Sequence, residues 1–409
     1  MIDIDDAFGA YREEIEPLQE REVPLREGLG RVLSAAASST VDLPPFPQSS
    51  RDGYALLSAD TEGASRDAPA RLELSGTVPA GRLEETPVLE PGRAMRIYTG
   101  AHLPEGADAV LRQEDARVED GELLVGAPVA TGTAVRPRGD DLVRGTGLAE
   151  AGERLTPGHL AALAAGGVGR VRVRRRPSVA LVLTGDEVVP ADAELAPGQV
   201  HEADGPLVAG WLEAGGWGRP EDVHVGDTLE QTEQALRTAL EGADLVLTTG
   251  GVSVGDRDHV VEAAERSGVR TVFWRVAQKP GKPLLFGLRD GTVLLGLPGN
   301  PGSVHACLVT HVLRVLELME GAADPAPRPR PGTLAVPFRP DPRREWWARC
   351  RLAVAEGGVR LRPQRGQASH MVADLGRCHA LARIPRGEAT LEAGTPVGWV
   401  PAAGTSPYS

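Results

Sequence analysis

Lysine and asparagine are almost absent from this chain of 409 residues. Only two of its 44 basic residues are lysines, Lys279 and Lys282, and Asn300 is its one asparagine. A lysine carries a compact charge on a flexible stem, whereas an arginine carries a rigid planar group. The two lysines share the segment Lys-Pro-Gly-Lys-Pro (279–283), and Asn300 follows shortly after in Gly-Leu-Pro-Gly-Asn-Pro (296–301). We therefore interpret these residues as functional rather than as remnants of a biased composition.

Cysteine and long apolar segments are scarce as well. The three cysteines, Cys307, Cys350 and Cys378, form no Cys-x-x-Cys pair, which excludes a disulfide framework and a typical zinc site. The first residues are acidic and no run of about 18 apolar residues occurs, so we expect neither a signal peptide nor a membrane span. The sequence therefore predicts a cytoplasmic protein.

Positive charge is in deficit, because 44 basic against 57 acidic residues give a formal net charge of −13. An anionic protein binds DNA, RNA and acidic membranes poorly, so we expect no nucleic-acid or membrane partner. With 41% hydrophobic and 25% charged residues, the composition is typical of folded proteins. The length predicts two to four domains, at ~150 residues per domain.

The first part of the chain predicts helices on either side of an all-β segment. Apolar residues at helical spacing predict an amphipathic helix over 3–16, and a second short helix is expected at 25–35. Thr156-Pro157 is a typical helix start for a helix over 157–165. Short segments bounded by glycine and proline predict strands at 72–78, 94–98, 108–113 and 121–128.

From residue 177 onwards, strands rich in valine and leucine alternate with helices, which is typical of a parallel sheet covered by helices. The proline-rich stretch 321–342 is interpreted as a linker to a small β domain. In the α/β part the predicted strands are 178–183, 222–226, 244–248, 271–277 and 292–297, and the predicted helices are 204–214, 229–241, 258–267 and 302–319. In the C-terminal part the predicted strands are 345–354, 359–363, 380–385 and 395–400.

Polar residues follow each strand that is predicted in the α/β part. Because ligands bind outside the carboxyl ends of parallel strands, these residues predict a binding site at one edge of the sheet. They are Thr184, Asp186 and Glu187 after the first strand, Asp227 after the second, 249–258 after the third, Lys279 and Lys282 after the fourth, and Asn300 after the fifth.

The glycine-rich turn 250–255 precedes a predicted helix. Such a turn presents backbone N–H groups to a phosphate or another oxyanion, although a plain tight turn would have the same composition. It is not a Walker A loop, because Lys282 is followed by proline rather than by serine or threonine.

Glu187, Asp227 and Asp258 would repel one another at this edge. Two like charges ~4 Å apart cost about 4 kcal/mol at an effective dielectric constant near 20, so a carboxylate cluster predicts a bound cation. Oxygen ligands suit Mg²⁺, which commonly bridges a carboxylate and a substrate phosphate. The alternatives are that Asp256 or Asp258 caps the following helix and that Glu187 is a solvated loop acid.

Several segments together resemble the molybdopterin molybdenumtransferase family (the MoeA type, related to the gephyrin E domain). The resemblance extends over almost the whole chain and depends on seven motifs in order rather than on any single one. They are Asp-Gly-Tyr-Ala (52–55), Tyr-Thr-Gly (98–100), Arg-Gly-Asp-Asp (138–141), Thr-Gly-Asp-Glu (184–187), Thr-Gly-Gly-Val-Ser-Val-Gly (249–255), Lys-Pro-Gly-Lys-Pro (279–283) and Gly-Leu-Pro-Gly-Asn-Pro (296–301).

For the fold, the resemblance implies a multidomain α/β plus β architecture. We assign an N-terminal mixed and helical domain to 1–45 and 140–176, and an inserted β domain to 46–139. A molybdopterin-binding three-layer α/β domain is assigned to 177–322, and a C-terminal β barrel to 323–409. The family also implies a homodimer, with the site between the α/β domain of one subunit and the inserted domain of the other.

For the function, the resemblance implies that molybdate is inserted into adenylylated molybdopterin with release of AMP. A molybdopterin adenylyltransferase and acceptor molybdoenzymes are then expected partners. Two alternatives remain open from the sequence: an enzyme that itself transfers adenylyl groups to molybdopterin, and a carrier or scaffold that binds the pterin nucleotide without catalysis.

The motifs also imply roles for single residues. Asp52 and Thr99 would act from the partner subunit's side of the cleft, and Lys279 and Lys282 would bind molybdate and stabilise charge at the phosphoanhydride. The implied ligands of Mg²⁺ or positioners of the pyrophosphate are Glu187, Asp227 and Asp258. The implied substrate-binding residues are Thr184, Gly185, Asp186, Gly250, Gly251, Ser253, Gly255, Pro298, Asn300 and Ser369, the last of which matches a C-terminal loop of the family.

Two positions depart from the family pattern. Arg51 stands where the family usually has methionine, and Glu202-Ala203-Asp204 stands where it usually has Asp-Ser/Thr-Asn. An acid in place of an amide at position 204 weakens the expected affinity for a polyphosphate, unless Mg²⁺ or Arg51 compensates for the added negative charge.

Overall fold

The computed structural model describes residues 1–253, 255, 258–355 and 357–403. Within them lie three sheets of six strands each, which we call the inserted sheet (53–125), the central sheet (179–297) and the barrel sheet (278–401). The architecture is the multidomain α/β plus β fold that the sequence predicts.

The central sheet is parallel over four strands. Val179–Thr184 pairs in parallel with Glu221–Val225 on one side and with Leu245–Thr249 on the other, and Leu245–Thr249 pairs in parallel with Thr292–Leu297. The sheet then continues antiparallel with Leu285–Arg289 and Arg270–Trp274.

The antiparallel end of the sheet differs from the sequence prediction of a purely parallel one. Leu285–Arg289 and Thr292–Leu297 form a hairpin around Asp290 and Gly291, both of which adopt positive φ angles, +52° and +89°. Positive φ at two successive turn residues is typical of the tight turns that join antiparallel strands. The strand Leu285–Arg289 was absent from the sequence prediction, which extended the preceding strand to 277 instead.

Helices cover both faces of the central sheet. Leu181 and Leu183 belong to one core and Val182 to the other, because successive side chains of a strand point to opposite faces. The first face is covered by Asp204–Ala214 and Pro301–Met319, and the second by Leu229–Gly242 and Val260–Arg266.

Pro301–Met319 is the longest of these helices. By length and composition it is the one candidate membrane span among the described residues, but 94% of its most apolar window is buried inside the protein. It contains a π-helical segment, Leu308–Val312. The N-terminal helix Ile4–Glu14 packs beside it, and the Tyr11 hydroxyl lies 3.0 Å from His311 Nδ1. Its apolar surface is therefore covered by protein.

Strands distant in sequence pair in the N-terminal part. Helix Pro157–Ala165 begins as predicted, with Thr156 Oγ1 accepting a hydrogen bond from the His159 amide. The helix expected at 25–35 is wrong, since only the short 3₁₀ turn Leu25–Glu27 forms before Gly30 adopts a φ of +69°. The antiparallel pairs are Glu20–Pro24 with Arg170–Arg174, Ala37–Ser38 with Gly147–Ala149, and Gln48–Ser49 with Val135–Arg136.

In sequence, the inserted sheet lies between the paired strands Gln48–Ser49 and Val135–Arg136. Two 3₁₀ turns, Ser58–Thr61 and Gln113–Asp115, interrupt it. Its strands are Gly53–Leu56, Ala70–Val78, Arg93–Ile97, Ala109–Arg112, Arg117–Glu119 and Glu122–Val125.

The barrel sheet closes into a five-stranded barrel. Closure occurs because Glu345–Ala355 pairs with both Gly358–Pro363 and Ala380–Ile384, while Arg330–Leu334 and Pro396–Pro401 complete the ring. The proline-rich stretch 321–342 is therefore not a linker throughout, since it contributes a barrel strand. The sixth strand of the barrel sheet is the short segment Gln278–Lys279, which pairs in parallel with Glu345 and Trp346. Outside the barrel, Val188–Val189 and Val200–His201 form a separate short parallel pair.

Candidate active site

A cavity of about 570 Å³ opens where three parallel strands of the central sheet end. Val179–Thr184, Glu221–Val225 and Leu245–Thr249 run side by side and in the same direction, so the loops that follow them meet at one edge. Of the residues predicted for the site, the cavity is lined by Thr184, Gly185, Glu187, Asp227, Gly250, Gly251, Gly255 and Asp258.

The cavity wall next to Thr184 requires glycine. Gly250 and Gly251 have φ angles of +82° and +64°, and a Cβ atom at Gly250 would lie 2.6 Å from Thr184 Oγ1. Gly299 crosses on the other side, where its own Cβ would lie 3.0 Å from the Gly250 Cα. The turn is therefore a close crossing of three backbone segments, which side chains larger than hydrogen would separate.

Two backbone amides of this turn already donate hydrogen bonds within the protein. The Gly250 amide donates to the Leu297 carbonyl at 3.2 Å, and the Gly255 amide donates to Asp258 Oδ2 at 2.6 Å. Asp258 thus holds its own loop and lines the cavity. It does not cap the following helix Val260–Arg266, whose N-cap residue is His259 and which has no side-chain capping bond. Val254, Asp256 and Arg257 lie outside the described residues.

Asp186 and Asp227 tie the first two loops together. The Asp186 amide donates to Asp227 Oδ2 at 3.3 Å, and the Asp227 amide donates to Asp186 Oδ1 at 3.1 Å. This reciprocal pair fixes the spacing between the loops, and His224 Nε2 adds a contact of 3.0 Å to the Gly185 carbonyl. Asp186 therefore supports the cavity wall rather than lining it.

Two further acids, Glu202 and Asp204, line the same cavity. Glu202 Oε1 accepts a hydrogen bond from the Gly205 amide at 2.8 Å, at the start of helix Asp204–Ala214. Asp204 is only 6% exposed, and its Oδ1 has no hydrogen-bond partner among the described residues. Burial, and secondly the negative charge of Glu202, raise the pKa of Asp204 to about 8.

The acids of the cavity do not form a ready-made metal centre. No group of three or more histidine, cysteine, aspartate or glutamate side chains among the described residues is placed to hold a metal ion. The predicted trio of Glu187, Asp227 and Asp258 therefore shares one cavity without converging on one point.

The two lysines lie between the strands that end at Trp274 and begin at Leu285, Lys279 in the short strand Gln278–Lys279 and Lys282 after it, and both are outside the described lining of the cavity. Lys279 Nζ is 3.5 Å from Asp341 Oδ2 and 3.5 Å from the centre of the Trp346 ring, so its ammonium group contacts the C-terminal barrel. Although burial opposes ionisation, hydrogen bonds from Arg344 and the Arg343 amide keep the pKa of Asp341 well below its usual range. Lys282 is exposed.

The barrel also contacts the turn that contains Asn300. The Asn300 carbonyl accepts hydrogen bonds from the amides of Ser303 and Val304, and the Ser369 carbonyl accepts one from the Gly302 amide at 2.8 Å. A Cβ atom at Gly302 would lie 2.7 Å from this Ser369 oxygen. The structure thus brings Ser369 next to the Asn300 turn, whereas Pro298 is buried behind it and Ser253 is exposed.

Asp52 and Thr99 meet on the inserted sheet. Asp52 Oδ1 accepts hydrogen bonds from the Thr99 amide and hydroxyl, both at 2.8 Å, and these bonds lower the pKa of Asp52. Arg96 lies 5.1 Å from the Tyr54 ring and 5.2 Å from the Tyr98 ring. This cation–aromatic group, which the sequence analysis missed, stands beside the pair.

Known proteins show the same three-part organisation. Three family models match the chain: the MoeA N-terminal region (domain I and II) over residues 2–167, a probable molybdopterin binding domain over 180–318, and the MoeA C-terminal region (domain IV) over 331–402. A molybdopterin molybdenumtransferase of Synechococcus elongatus is 36% identical over 93% of this chain and 94% of its own length. The chain belongs to the molybdopterin molybdenumtransferase family.

Other members of the family also match this chain over nearly its whole length. A molybdopterin molybdenumtransferase of Staphylococcus epidermidis is 30% identical over 91% of this chain and 88% of its own length. The crystal structure of a molybdopterin biosynthesis MoeA protein of Pyrococcus horikoshii is 28% identical, with a TM-score of 0.82 over 98% of this chain and 99% of that protein. The family membership therefore covers the flanking domains as well as the central α/β domain, and it assigns this chain a role in molybdenum cofactor biosynthesis.

Proposed function

We propose that the chain inserts molybdate into adenylylated molybdopterin and releases AMP. The observation that supports this is the cavity at the ends of three parallel strands, with a glycine turn and carboxylates on its wall, in a chain whose family relatives bear the name molybdopterin molybdenumtransferase. An adenylyltransferase or a non-catalytic carrier is less favoured, because all three parts of the chain match this one family.

In this proposal the cavity binds the phosphoanhydride of the substrate. The glycine turn allows the backbone to approach a phosphate closely, and backbone N–H groups of such a turn donate to phosphate oxygens. Thr184, Gly185, Gly250 and Gly255 shape the same wall, and Asp186 holds the loop spacing. Water cleaves the phosphoanhydride, so that AMP leaves and one phosphate stays on the pterin. Molybdate binds to the two dithiolene sulfurs, and their protons leave with one molybdate oxygen as water.

Lys279 and Lys282 bind the dianionic molybdate in this proposal. Lys282 is exposed and therefore accessible to an anion, whereas Lys279 is oriented by Asp341 and Trp346. Fixed positive charge near a breaking phosphoanhydride lowers the barrier, by about 3 kcal/mol for each well-placed donor. Asn300, Pro298, Ser253 and Ser369 would complete the substrate contacts around the same loops.

The residues of the cavity fit Mg²⁺. The ionisable side chains of its described lining are all acids, and carboxylate oxygens are hard ligands of the kind that Mg²⁺ prefers. Glu187, Asp227 and Asp258 would hold the ion together with substrate oxygens, since the three carboxylates do not converge by themselves. When bound, the ion supplies positive charge that offsets the repulsion between these acids and a pyrophosphate.

The complete site is proposed to need two chains in a homodimer. Asp52 and Thr99 lie on the inserted sheet rather than on the described wall of the cavity, so a second copy is the simplest source of these groups. The proposed location is the cytoplasm, with a molybdopterin adenylyltransferase as supplier and molybdoenzymes as acceptors of the product.

The test is AMP release from adenylylated molybdopterin, measured by chromatography with and without molybdate. Repeated turnover that requires molybdate is the expected result. Consumption of ATP with molybdopterin would identify an adenylyltransferase, and stoichiometric binding of the nucleotide without release would identify a carrier; either outcome contradicts the proposal.

A further inference from the structure

We propose that Asp204 is a substrate-binding residue whose carboxyl group is uncharged in the metal-free protein and donates a hydrogen bond to a phosphate oxygen of the bound nucleotide. The inference rests on the proposed function, because that function supplies the phosphate. Asp204 would provide a hydrogen-bond donor in a cavity whose other acidic side chains repel the phosphate.

The position of Asp204 is the first argument. It is the first residue of helix Asp204–Ala214, it is 94% buried, and it lines the same cavity as the Gly250–Gly251 turn. Its Oδ1 has no hydrogen-bond partner among the described residues. Because buried polar atoms are normally bonded, an unpaired oxygen in a cavity wall points to a partner that arrives with the ligand.

The charges around Asp204 are the second argument. Acids line the cavity on each neighbouring loop: Glu187 on the first, Glu202 on its own segment, Asp227 on the second and Asp258 on the third. No lysine or arginine belongs to the described lining. Without a bound cation, a buried carboxyl group whose described charged neighbours in the cavity wall are acids favours the protonated form.

The local hydrogen bonds explain why Asp204 rather than Glu202 takes this role. Glu202 Oε1 accepts a hydrogen bond from the Gly205 amide, whereas Asp204 Oδ1 has no hydrogen-bond partner among the described residues. Burial, together with the charge of Glu202, raises the pKa of Asp204 to about 8. The two neighbouring carboxyl groups are thereby separated into an acceptor that caps the helix and a donor that faces the cavity.

The donor has few competitors on this wall. The Thr184 hydroxyl already donates to the Thr249 carbonyl at 3.1 Å, and the amides of Gly250 and Gly255 are bonded within the protein. A protonated carboxyl group can donate one O–H bond to an anionic oxygen and becomes repulsive once it loses the proton. Binding of a phosphate is therefore expected to weaken as the pH passes the pKa of Asp204.

The experiment is calorimetric binding of AMP, the expected product, without divalent cations from pH 6.5 to pH 9.5. We expect the dissociation constant of the unaltered protein to rise about tenfold for each pH unit above 8. In Asp204→Asn, whose amide donates at every pH, the dissociation constant should be the same at pH 7.5 and pH 9.5. Asp204→Ala, which lacks the donor, should bind AMP about tenfold to a hundredfold more weakly than the unaltered protein at pH 7.

A second readout does not depend on the ligand. The infrared absorption of protonated carboxyl groups at pH 7 should be weaker in Asp204→Asn than in the unaltered protein, because burial raises the pKa of Glu320 and Glu345 as well and their contribution remains. It should be unchanged in Asp192→Asn, which alters an exposed loop residue. An equally strong absorption in Asp204→Asn and the unaltered protein, or the same pH dependence of AMP binding in Asp204→Asn, would overturn the proposal.

The two proposals fail in different ways. If AMP binding and the infrared band behave as expected but no molybdate-dependent turnover occurs, the proposed function is wrong and the assignment of Asp204 as a phosphate donor stands. If turnover occurs and AMP binding shows no contribution from Asp204, the assignment is wrong and the function stands.

Discussion

Replacing Asp204 with asparagine should stabilise the protein at neutral and alkaline pH. The carboxyl group is 6% exposed and has a pKa of about 8 instead of 3.8. Because the folded protein holds the proton more tightly than the unfolded chain does, the stabilising contribution is complete below pH 3.8. It is lost progressively as the pH rises towards 8. Asparagine has the same shape and no charge, so the variant avoids this loss.

The magnitude follows from the distance between the two pKa values. Each pH unit above 3.8 removes 1.36 kcal/mol from the free energy of unfolding, until the folded-state pKa of about 8 is reached. At pH 7 this amounts to an upper limit of ~4 kcal/mol, and at pH 5 to less than half of that. Because 1 kcal/mol shifts the melting temperature of a domain of this size by about 2–4 °C, the difference is measurable.

The assay is differential scanning calorimetry of the unaltered protein, Asp204→Asn and Asp192→Asn at pH 5 and pH 8. We expect the melting temperature of Asp204→Asn to exceed that of the unaltered protein by several degrees at pH 8 and by much less at pH 5. Asp192→Asn, which removes an exposed acid of the same loop region, should show no such difference. Equal shifts of Asp204→Asn at both pH values would refute the argument from burial.

Three further predictions concern the proposed reaction. Lys282→Ala should lower kcat/KM for AMP release at least about a hundredfold with an unchanged melting temperature, because Lys282 is exposed; activity close to normal would remove it from the site. Asp52→Ala and Lys282→Ala should each be inactive, but a mixture of the two should regain activity if each site combines two chains, and no recovery would argue for a site within one chain. Chelation of divalent cations should stop AMP release, and added Mg²⁺ should restore it, whereas release in the presence of EDTA would contradict a metal held by Glu187, Asp227 and Asp258.

The contacts of Lys279 change how its mutation must be interpreted. Its ammonium group lies between Asp341 and Trp346 of the barrel, so removing it affects the packing between domains as well as any bound anion. Lys282 is the cleaner test of anion binding for this reason. The sequence, in which the two lysines are close together, does not show that Lys279 contacts the barrel whereas Lys282 is exposed.

Local patterns in the sequence determined much of the fold and part of the site. The apolar run Val179–Thr184 predicts a buried strand, and in the structure Leu181 and Leu183 pack into one core and Val182 into the other. Thr156-Pro157 predicts a helix start that the structure contains. The glycines at 250 and 251 occupy a turn that requires them. These features are readable because backbone geometry and side-chain periodicity depend on residues close in sequence.

Other features depend on which distant segments meet, and only the tertiary structure decided them. The burial of Asp204, the contact of Lys279 with the barrel and the contact of Ser369 with the Asn300 turn all join segments far apart in the chain. The strand Arg330–Leu334 forms within a proline-rich stretch because the barrel offers it partners on both sides. Residue types indicate which chemistry is available, whereas burial and neighbouring charge, which set the protonation and orientation of each group, arise from long-range packing.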